Sequence, residues 1–280
     1  MAVPVSALHD ESVASWKTNA AYWDDGIGQH GNNYWKRLQQ PALERMISFP
    51  SSGTDARVLE LATGNGLVAR WLASKGASVL ATDIHTEMLE LAARRETPEH
   101  TGSISYLQLD VTDPLALDEF AEQNATSGGF DAIVMNMAIM DVATIEPLAA
   151  ALPKLLKKGG IFVATLSHPV FVTSGARRNI QIVDSGPNAL SEVIRSKTIE
   201  NYLDVPPYHG FALPGQPAQQ LYFHRPLHEL FSVFFKAGLV MDAMEEPAFT
   251  PEDAMPQRIQ ASVNYTQLPA ILAFRMRRVA

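Results

Sequence analysis

The sequence contains no cysteine, which excludes disulfide bonds, thiolate metal ligands and a cysteine nucleophile. It shows no cluster of side chains with a recognisable metal-ligand spacing, so we expect no metal. Lysine and arginine form no run and the formal net charge is −8, which argues against nucleic acid as the main partner. No apolar run approaches membrane-spanning length and no charged-then-apolar leader opens the chain, so we expect a soluble, cytoplasmic protein without membrane contact.

The composition that is present is that of an ordinary globular protein, with 46% hydrophobic and 19% charged residues among 280. A chain of this length fits one α/β domain, or such a domain with an elaborate lid. Composition does not define the oligomeric state.

One stretch organises the rest of the chain. Residues 57–61 are mostly apolar, as in a short buried strand, and glycines follow at once. Gly64 and Gly66 permit a tight turn whose backbone can approach a ligand closely. Residues 67–74 have the character of a helix, whose free N–H groups would point back at the turn. Strand, glycine turn and helix together predict a cradle for a nucleotide cofactor.

Two kinds of cofactor fit this cradle. The pattern Gly64-x-Gly66-x-x-Ala69 satisfies the dinucleotide fingerprint. Asp83 then lies about twenty residues further on, where NAD-binding proteins place a ribose-binding carboxylate. Glu60 favours a different ligand, because a carboxylate four residues before the first glycine would repel a pyrophosphate and attract an ammonium group.

The pattern Glu60-Leu-Ala-Thr-Gly64-Asn-Gly66 resembles the first motif of class I S-adenosylmethionine-dependent methyltransferases, which reads acid-x-x-x-Gly-x-Gly. That family usually carries a further glycine two places after the acid, where this chain has Ala62. The resemblance implies that the cofactor is S-adenosyl-L-methionine and that the product is S-adenosyl-L-homocysteine.

Three successive predicted strands end in a carboxylate, in the order Glu60, Asp83 and Asp110. Because the C-terminal ends of parallel strands meet at one edge of a sheet, these acids should converge there. An NAD-binding fold explains only Asp83, so the order of the acids favours the methyltransferase interpretation.

The resemblance assigns further residues to the cofactor. A carboxylate at Asp83 can accept hydrogen bonds from both ribose hydroxyls, and Ile84 and Met88 are candidates to flank the adenine. In the family, the position of Asp110 meets the exocyclic amine of adenine, and the first residues after the fourth strand contact the methionyl part. The predicted cofactor-binding residues are Trp23, Glu60, Ala62, Gly64, Asn65, Gly66, Asp83, Ile84, Met88, Asp110, Val111, Asn136 and Met137.

The resemblance implies an α/β fold, the Rossmann-like, doubly wound seven-stranded sheet of class I methyltransferases. We expect residues 1–56 to form an N-terminal helical cap, with helices over 12–23 and 36–48, and residues 57–280 to form the methyltransferase domain. A stretch at about 172–223, after the fifth strand, mixes glycine, proline, asparagine and serine with scattered aromatic residues. This composition predicts an irregular lid over a flat or apolar substrate.

The resemblance also implies the reaction, an in-line methyl transfer to an O or N of a small metabolite, and the aromatic residues of the lid indicate that this metabolite is aromatic or apolar. His168 and His224 are the polar residues expected nearest the acceptor, with His168 at the end of the fifth strand as a candidate general base. The alternative for each histidine is a structural role as a hydrogen-bonded residue at a turn, and His168 could also only orient the acceptor or bond the lid. Two alternatives remain at this point. One is a protein of the same fold that uses the pocket as a cyclase or pericyclase, and the other, less favoured, is an NAD-binding oxidoreductase.

Overall fold

The computed structural model of the protein describes residues 3–47, 56–96, 102–184 and 192–279. Its helices are α1 (Val5–Ile27), α2 (Gln40–Met46), α3 (Leu67–Ser74), α4 (Thr86–Arg94), α5 (Pro114–Ala125), α6 (Glu146–Leu155) and α7 (Leu227–Lys236). Its strands are β1 (Arg57–Leu61), β2 (Ser78–Asp83), β3 (Ser103–Gln108), β4 (Phe130–Asn136), β5 (Leu156–Ser167), β6 (Ala176–Val183), β7 (Glu192–Ile199), β8 (Tyr208–Gly210), β9 (Gln220–Tyr222), β10 (Leu239–Glu245) and β11 (Ile271–Arg278). Within the described ranges, no helix is both long and apolar enough to cross a membrane.

Seven strands form one sheet in the order β10-β11-β5-β4-β1-β2-β3. Every pairing in this sheet is parallel except the two made by β11. The predicted Rossmann-like, doubly wound seven-stranded sheet is therefore confirmed.

Alternate side chains of the central strand β1 point to opposite faces of the sheet. Val58 packs into the apolar cluster that includes α2 and α3, whereas Leu59 and Leu61 pack into the cluster that includes α5, α6 and α7. All three side chains are fully buried, because helices cover both faces of the sheet. This burial on two sides explains why β1 is an almost continuous apolar run.

The order of the strands reverses between β1 and β4, which pair in parallel at the centre of the sheet. In open α/β sheets the ligand crevice lies outside the carboxyl ends of the strands at such a reversal. The turns that follow β1 and β4 are therefore the expected walls of a binding site.

The N-terminal segment differs in detail from its prediction. Helix α1 begins at Val5 and ends at Ile27, beyond both ends of the predicted helix at 12–23. The second predicted helix is a π-helical turn at Trp35–Gln39 that continues into α2. Helix α1 packs against α4 and β9. The predicted domain boundary at 56–57 adjoins residues 48–55, which lie outside the described residues.

The composition of the segment between β5 and α7 predicts an irregular lid. The structure differs, because this segment contains two antiparallel hairpins, β6–β7 and β8–β9. Strand β6 carries isolated isoleucines such as Ile180 and Ile182 between polar residues, and its side chains are largely exposed. Strands with so few buried positions leave a weak pattern in the sequence. Residues 185–191 of the predicted lid lie outside the described residues.

Candidate active site

A cavity of about 820 Å³ lies at the carboxyl edge of the sheet, lined by residues that follow β1, β2, β3, β4 and β5. Every predicted cofactor-binding residue contributes to its wall except Gly66. His224 also lines the cavity, whereas His168 does not. The fold thus brings the three strand-end acids, Glu60, Asp83 and Asp110, to the wall of one cavity.

Glu60 is a buried acid in this wall, with 1% of its surface exposed. Its Oε2 accepts a hydrogen bond of 2.7 Å from the hydroxyl of Thr63. Burial raises the pKa of Glu60 to about 8, although the Thr63 hydroxyl and the Arg70 guanidinium act in the opposite direction. A ligand ammonium group beside Glu60 would stabilise its ionised form.

Two non-glycine residues at the cavity adopt a left-handed backbone conformation. Ala62, after β1, and Met137, after β4, both have φ = 53°. This conformation is less favourable by about 1–2 kcal/mol for a residue that has a Cβ. The backbone conformation of Ala62 would therefore suit the glycine that the methyltransferase family usually has at this position. Backbone strain of this kind clusters at ligand sites.

The two glycines of the turn act in different ways. Gly64 has φ = 55°, and a Cβ added to it would point into the space beside Trp23, 3.7 Å from the indole Nε1. Gly66 has φ = 74° and precedes α3, and a Cβ added there would lie 3.0 Å from the Cβ of Ala92. The absence of a side chain at Gly64 thus keeps the cavity open, while its absence at Gly66 allows α3 and α4 to pack closely against the turn.

Asp83 holds the glycine turn from the neighbouring strand. Its Oδ2 accepts the N–H of Gly64 at 2.9 Å, and its Oδ1 accepts the N–H of His85 at 3.0 Å. Burial raises the pKa of Asp83 in spite of these two bonds. Because each carboxylate oxygen has two acceptor sites, Asp83 can hold the turn and accept further donors from a ligand.

Asp110 lies two residues beyond the end of β3 and is bonded to protein groups. Its Oδ1 accepts the N–H and the hydroxyl of Thr112, at 2.8 and 2.7 Å. Its Oδ2 lies 3.3 Å from Nε2 of His9, which is on α1. The N-terminal helix therefore reaches the third acid of the series.

Asn136 is likewise held by its neighbours at the end of β4. Its side-chain oxygen accepts the hydroxyl of Thr165 at 2.6 Å, and its amide nitrogen donates to Gln39 at 3.1 Å. The N–H of Met137 donates to the carbonyl of Thr165 at 2.8 Å. These bonds fix the left-handed turn after β4 against β5.

Helix α1 is also tied to the glycine turn. The side-chain amide of Asn65 donates to Asp24 and to the carbonyl of Gly28, both at 3.2 Å. Trp23 stands edge-on to Trp16, with ring centroids 5.1 Å apart, and both rings line the cavity. Aromatic faces of this kind attract cations, including a sulfonium.

The contacts of His168 favour the interpretation as a hydrogen-bonded residue at a turn over that as a general base. His168 is 1% exposed and lies outside the cavity wall. Its Nδ1 accepts the N–H of Val170 at 3.2 Å, so Nε2 carries the proton and donates it to Glu246 at 2.8 Å. Burial lowers the pKa of His168. With both ring nitrogens bonded to protein groups, His168 fixes the end of β5 and has no unpaired nitrogen to offer to an acceptor.

His224 remains a candidate at the cavity wall. Its Nε2 donates to the carbonyl of Tyr202 at 2.7 Å, which makes Nδ1 the unprotonated nitrogen of the neutral ring. Burial lowers the pKa of His224, so the neutral form is favoured.

Asp141 also lines the cavity, although no pattern in the sequence indicates a role for it. It lies in a 3₁₀ turn after β4, and among the described residues no group donates to its buried Oδ1. The Trp16 side chain hydrogen-bonds to the carboxylate, and burial raises the pKa of Asp141 well above its usual range. A buried acceptor without a partner is costly, so this oxygen is suited to receive a donor from a bound molecule.

The surroundings hold Asp141 firmly. Arg225 is largely buried, and its guanidinium donates at 2.8–3.3 Å to three carbonyls on either side of Asp141, those of Ile139, Val142 and Ala143. The rings of Tyr208 and Tyr222 have centroids 5.4 Å apart, and both phenols interact electrostatically with the carboxylate. Burial and the nearby charge of Asp141 raise the pKa of both phenols. The cavity therefore has an acid framed by aromatic rings, apart from the acids of the glycine turn.

The chemistry of the cavity fits S-adenosyl-L-methionine. Glu60 suits the ammonium group, Asp83 the ribose hydroxyls, and the apolar pair Ile84 and Met88 the adenine. His85 also lines the cavity, and its buried Nε2 lacks a partner within the described part of the chain, so a ligand hydroxyl could supply one. The described residues include no group of three or more histidine or acidic side chains placed to hold a metal ion.

Comparisons with known proteins point to the same class. A family model described as a methyltransferase domain matches residues 59–164. A ubiquinone biosynthesis O-methyltransferase from Xylella fastidiosa is 30% identical over 191 residues, which cover 66% of this chain and 72% of that protein. Another protein of this name, from Pectobacterium atrosepticum, is 26% identical over 213 residues, covering 73% of this chain and 83% of the relative.

Solved structures share the fold. A methyltransferase from Mesorhizobium loti superposes with a TM-score of 0.59 at 22% identity, over 90% of this chain and 100% of that one. The glycopeptide N-methyltransferase MtfA, solved with S-adenosylmethionine, gives a TM-score of 0.51 at 15% identity, over 85% and 91% of the two chains. The chain belongs to the class I S-adenosylmethionine-dependent methyltransferases. S-adenosyl-L-methionine is its cofactor, and the NAD-binding alternative is set aside.

The raised pKa of Glu60 leads to a prediction about cofactor binding. At pH 7, below its pKa of about 8, the free protein holds Glu60 mainly protonated. A ligand ammonium favours the carboxylate, so binding of S-adenosyl-L-homocysteine should release up to about one proton and should tighten as the pH rises towards 8. Titration calorimetry in buffers of different ionisation enthalpy measures the released protons.

Glu60→Gln is the control, because glutamine keeps the shape of the side chain and cannot ionise. The proton release should fall in this variant, although Asp83, whose pKa is also raised, can contribute a remainder. The same proton release in Glu60→Gln as in the unchanged protein would show that Glu60 does not meet the ammonium group.

Proposed function

We propose that this methyltransferase acts on an oxygen or nitrogen of a small, aromatic or apolar metabolite. The observation that best supports the proposal is the continuity of the cavity, which extends from Glu60 to Asp141 and the two tyrosines beside it. Its volume of about 820 Å³ is in the upper part of the usual range for ligand pockets, roughly 300–1,000 Å³. Such a volume can accommodate an acceptor next to the cofactor.

When bound, S-adenosyl-L-methionine supplies a methyl group that its sulfonium already activates. The residues of the chain then have to align the acceptor and exclude water, and alignment of this kind can lower a barrier by about 7–11 kcal/mol. In our proposal the proton of the acceptor hydroxyl or amino group passes to the carboxylate of Asp141. His224, the other candidate, lines the same cavity.

The acceptor class follows from the side chains around Asp141. Trp16, Tyr208 and Tyr222 offer aromatic surface, and the hairpin β8–β9 contributes the two tyrosines. We propose that both hairpins between β5 and α7 serve as the lid over the acceptor. The O-methyltransferase names of the sequence relatives make a hydroxyl the first acceptor group to test.

A methyl-labelled cofactor tests the proposal. The protein is incubated with S-adenosyl-L-methionine labelled on the methyl group and with a panel of phenols, alcohols and amines matched in shape, and products are analysed by mass spectrometry. We expect label on an oxygen or nitrogen of at least one aromatic acceptor. Conversion of a substrate without gain of the label, in protein that binds the cofactor, would instead support the cyclase or pericyclase alternative.

A further inference from the structure

The β6–β7 hairpin places two basic side chains in the cavity wall, Arg178 and Lys197. The two residues are direct partners across the antiparallel pair. Side chains in this relation have Cβ atoms roughly 4.5–5.5 Å apart, and like charges placed there repel each other. The hairpin therefore carries an unfavourable charge pair on the side that faces the cavity.

The charges of this pair are not balanced by a described acid. Arg178 donates to the carbonyl of Gln260 at 3.3 Å and to the hydroxyl of Ser262 at 3.2 Å, both neutral groups. Lys197 donates to the carbonyl of Phe171, and its Nζ lies 5.9 Å from the ring centre of Tyr265. Neither side chain forms an ion pair within the described ranges.

The next residue on the same strand shows the contrast. Arg177 points away from the cavity, is 72% exposed in its side chain, and pairs with Glu200 at 3.0 Å. Lys197 instead is half-buried, and both burial and the charge of Arg178 lower its pKa. The outer arginine thus has an acidic partner, whereas Arg178, which is exposed, and the half-buried Lys197 and Arg195 lie on the other face without an ion pair in the described ranges.

We infer that Arg178 and Lys197 form a subsite for an anionic group of the acceptor, a carboxylate or a phosphate. Guanidinium and ammonium groups bind both anions through short, charge-assisted hydrogen bonds. An anion between the two side chains would also remove their mutual repulsion. The inference rests on the proposed function, because it defines one end of the acceptor that occupies the same cavity.

Binding of matched phenols tests the subsite. Protein saturated with S-adenosyl-L-homocysteine is titrated with 4-hydroxybenzoate, with 4-hydroxyphenyl phosphate and with the neutral 4-hydroxybenzamide. At least one anion should bind about ten- to a hundredfold more tightly than the amide, and the preference should weaken as salt is added. Which of the two anions binds more tightly distinguishes a carboxylate from a phosphate acceptor. This comparison in the unchanged protein does not depend on the folding of any variant.

Two variants distinguish anion binding at the proposed subsite from a general effect of the positive charge of the hairpin. Lys197→Gln keeps a donor for the carbonyl of Phe171 but removes the charge, and it should lose most of the preference for the anion. Arg177→Gln removes one charge from the outer face of the same strand and should retain the preference. S-adenosyl-L-homocysteine affinity is measured in each variant and should be unchanged.

The inference is overturned if the amide binds as tightly as both anions, or if none of the three binds. It is also overturned if Lys197→Gln retains the preference, or if Arg177→Gln loses it to the same extent. Protein that binds S-adenosyl-L-homocysteine but shows no preference for an anion refutes only the subsite. Failure to bind S-adenosyl-L-homocysteine would count against the proposed function itself.

Discussion

Replacement of Asp141 by asparagine is expected to lower kcat by about 10²–10⁴, with the affinity for S-adenosyl-L-homocysteine unchanged. Asparagine has nearly the shape of aspartate and still accepts a hydrogen bond from Trp16, but it cannot take up a proton. Burial raises the pKa of Asp141, so the carboxyl must lose its proton before it can act as a base. Activity should therefore rise with pH through this pKa, and the acidic limb of the kcat profile should disappear in Asp141→Asn.

His168→Asn is the matched control for this experiment. His168 is buried outside the cavity wall and is bonded at both ring nitrogens, so its loss should act on stability rather than on the reaction. We expect a loss of kcat below roughly tenfold, with the acidic limb retained. His224→Asn tests the other candidate at the cavity. A large loss in His224→Asn together with a small loss in Asp141→Asn would assign the proton acceptor to His224.

The fold could be predicted because its signals are local. Strand β1 is short and buried on both faces, so it leaves an apolar run, and the two glycines of the turn directly follow it. Acids within two residues of the ends of β1, β2 and β3 share one edge of the sheet simply because the strands are parallel. The order of neighbouring residues and the rule for parallel strands are therefore sufficient to predict the cofactor half of the cavity.

The acceptor half could not be predicted in the same way, because it is assembled from distant parts of the chain. The proposed role of Asp141 depends on the burial of its Oδ1 and on its hydrogen bond with Trp16, which is on α1. Arg178 and Lys197 become a pair only through the register of a hairpin whose strands have few buried positions. No spacing in the sequence indicates such contacts.

His168 shows the limit of arguments from position. Its place at the end of β5 was inferred correctly from the sequence, since β5 ends at Ser167. The sequence does not define the direction of its side chain, and in the structure the ring turns towards Glu246 and Val170. Residues at the carboxyl edge of a sheet can serve either the cavity or the support of a neighbouring loop, and only the hydrogen-bond partners distinguish the two.

Asp83→Ala is expected to weaken binding of S-adenosyl-L-homocysteine by about a hundredfold or more without unfolding the protein. The change removes a ligand contact and also the two bonds that hold the N–H groups of Gly64 and His85. Each charge-assisted hydrogen bond that is lost costs roughly 1.5–3 kcal/mol, so losing the bonds to both ribose hydroxyls of the ligand is sufficient for this effect. Titration calorimetry gives the affinity, and thermal unfolding shows whether the fold is retained.

Asp113→Ala is the control for the structural part of this effect. Asp113 makes the same kind of bonds as Asp83, since its carboxylate accepts the N–H groups of Leu115 and Ala116 at the start of α5, but it does not line the cavity. Its loss should cost about 0.5–2 kcal/mol of stability and leave the affinity for S-adenosyl-L-homocysteine unchanged. Asp83→Asn, which keeps one acceptor oxygen, should lie between Asp83→Ala and the unchanged protein. An affinity of Asp83→Ala within about threefold of the unchanged protein would remove Asp83 from the cofactor site, because the loss of even one charge-assisted bond exceeds that difference.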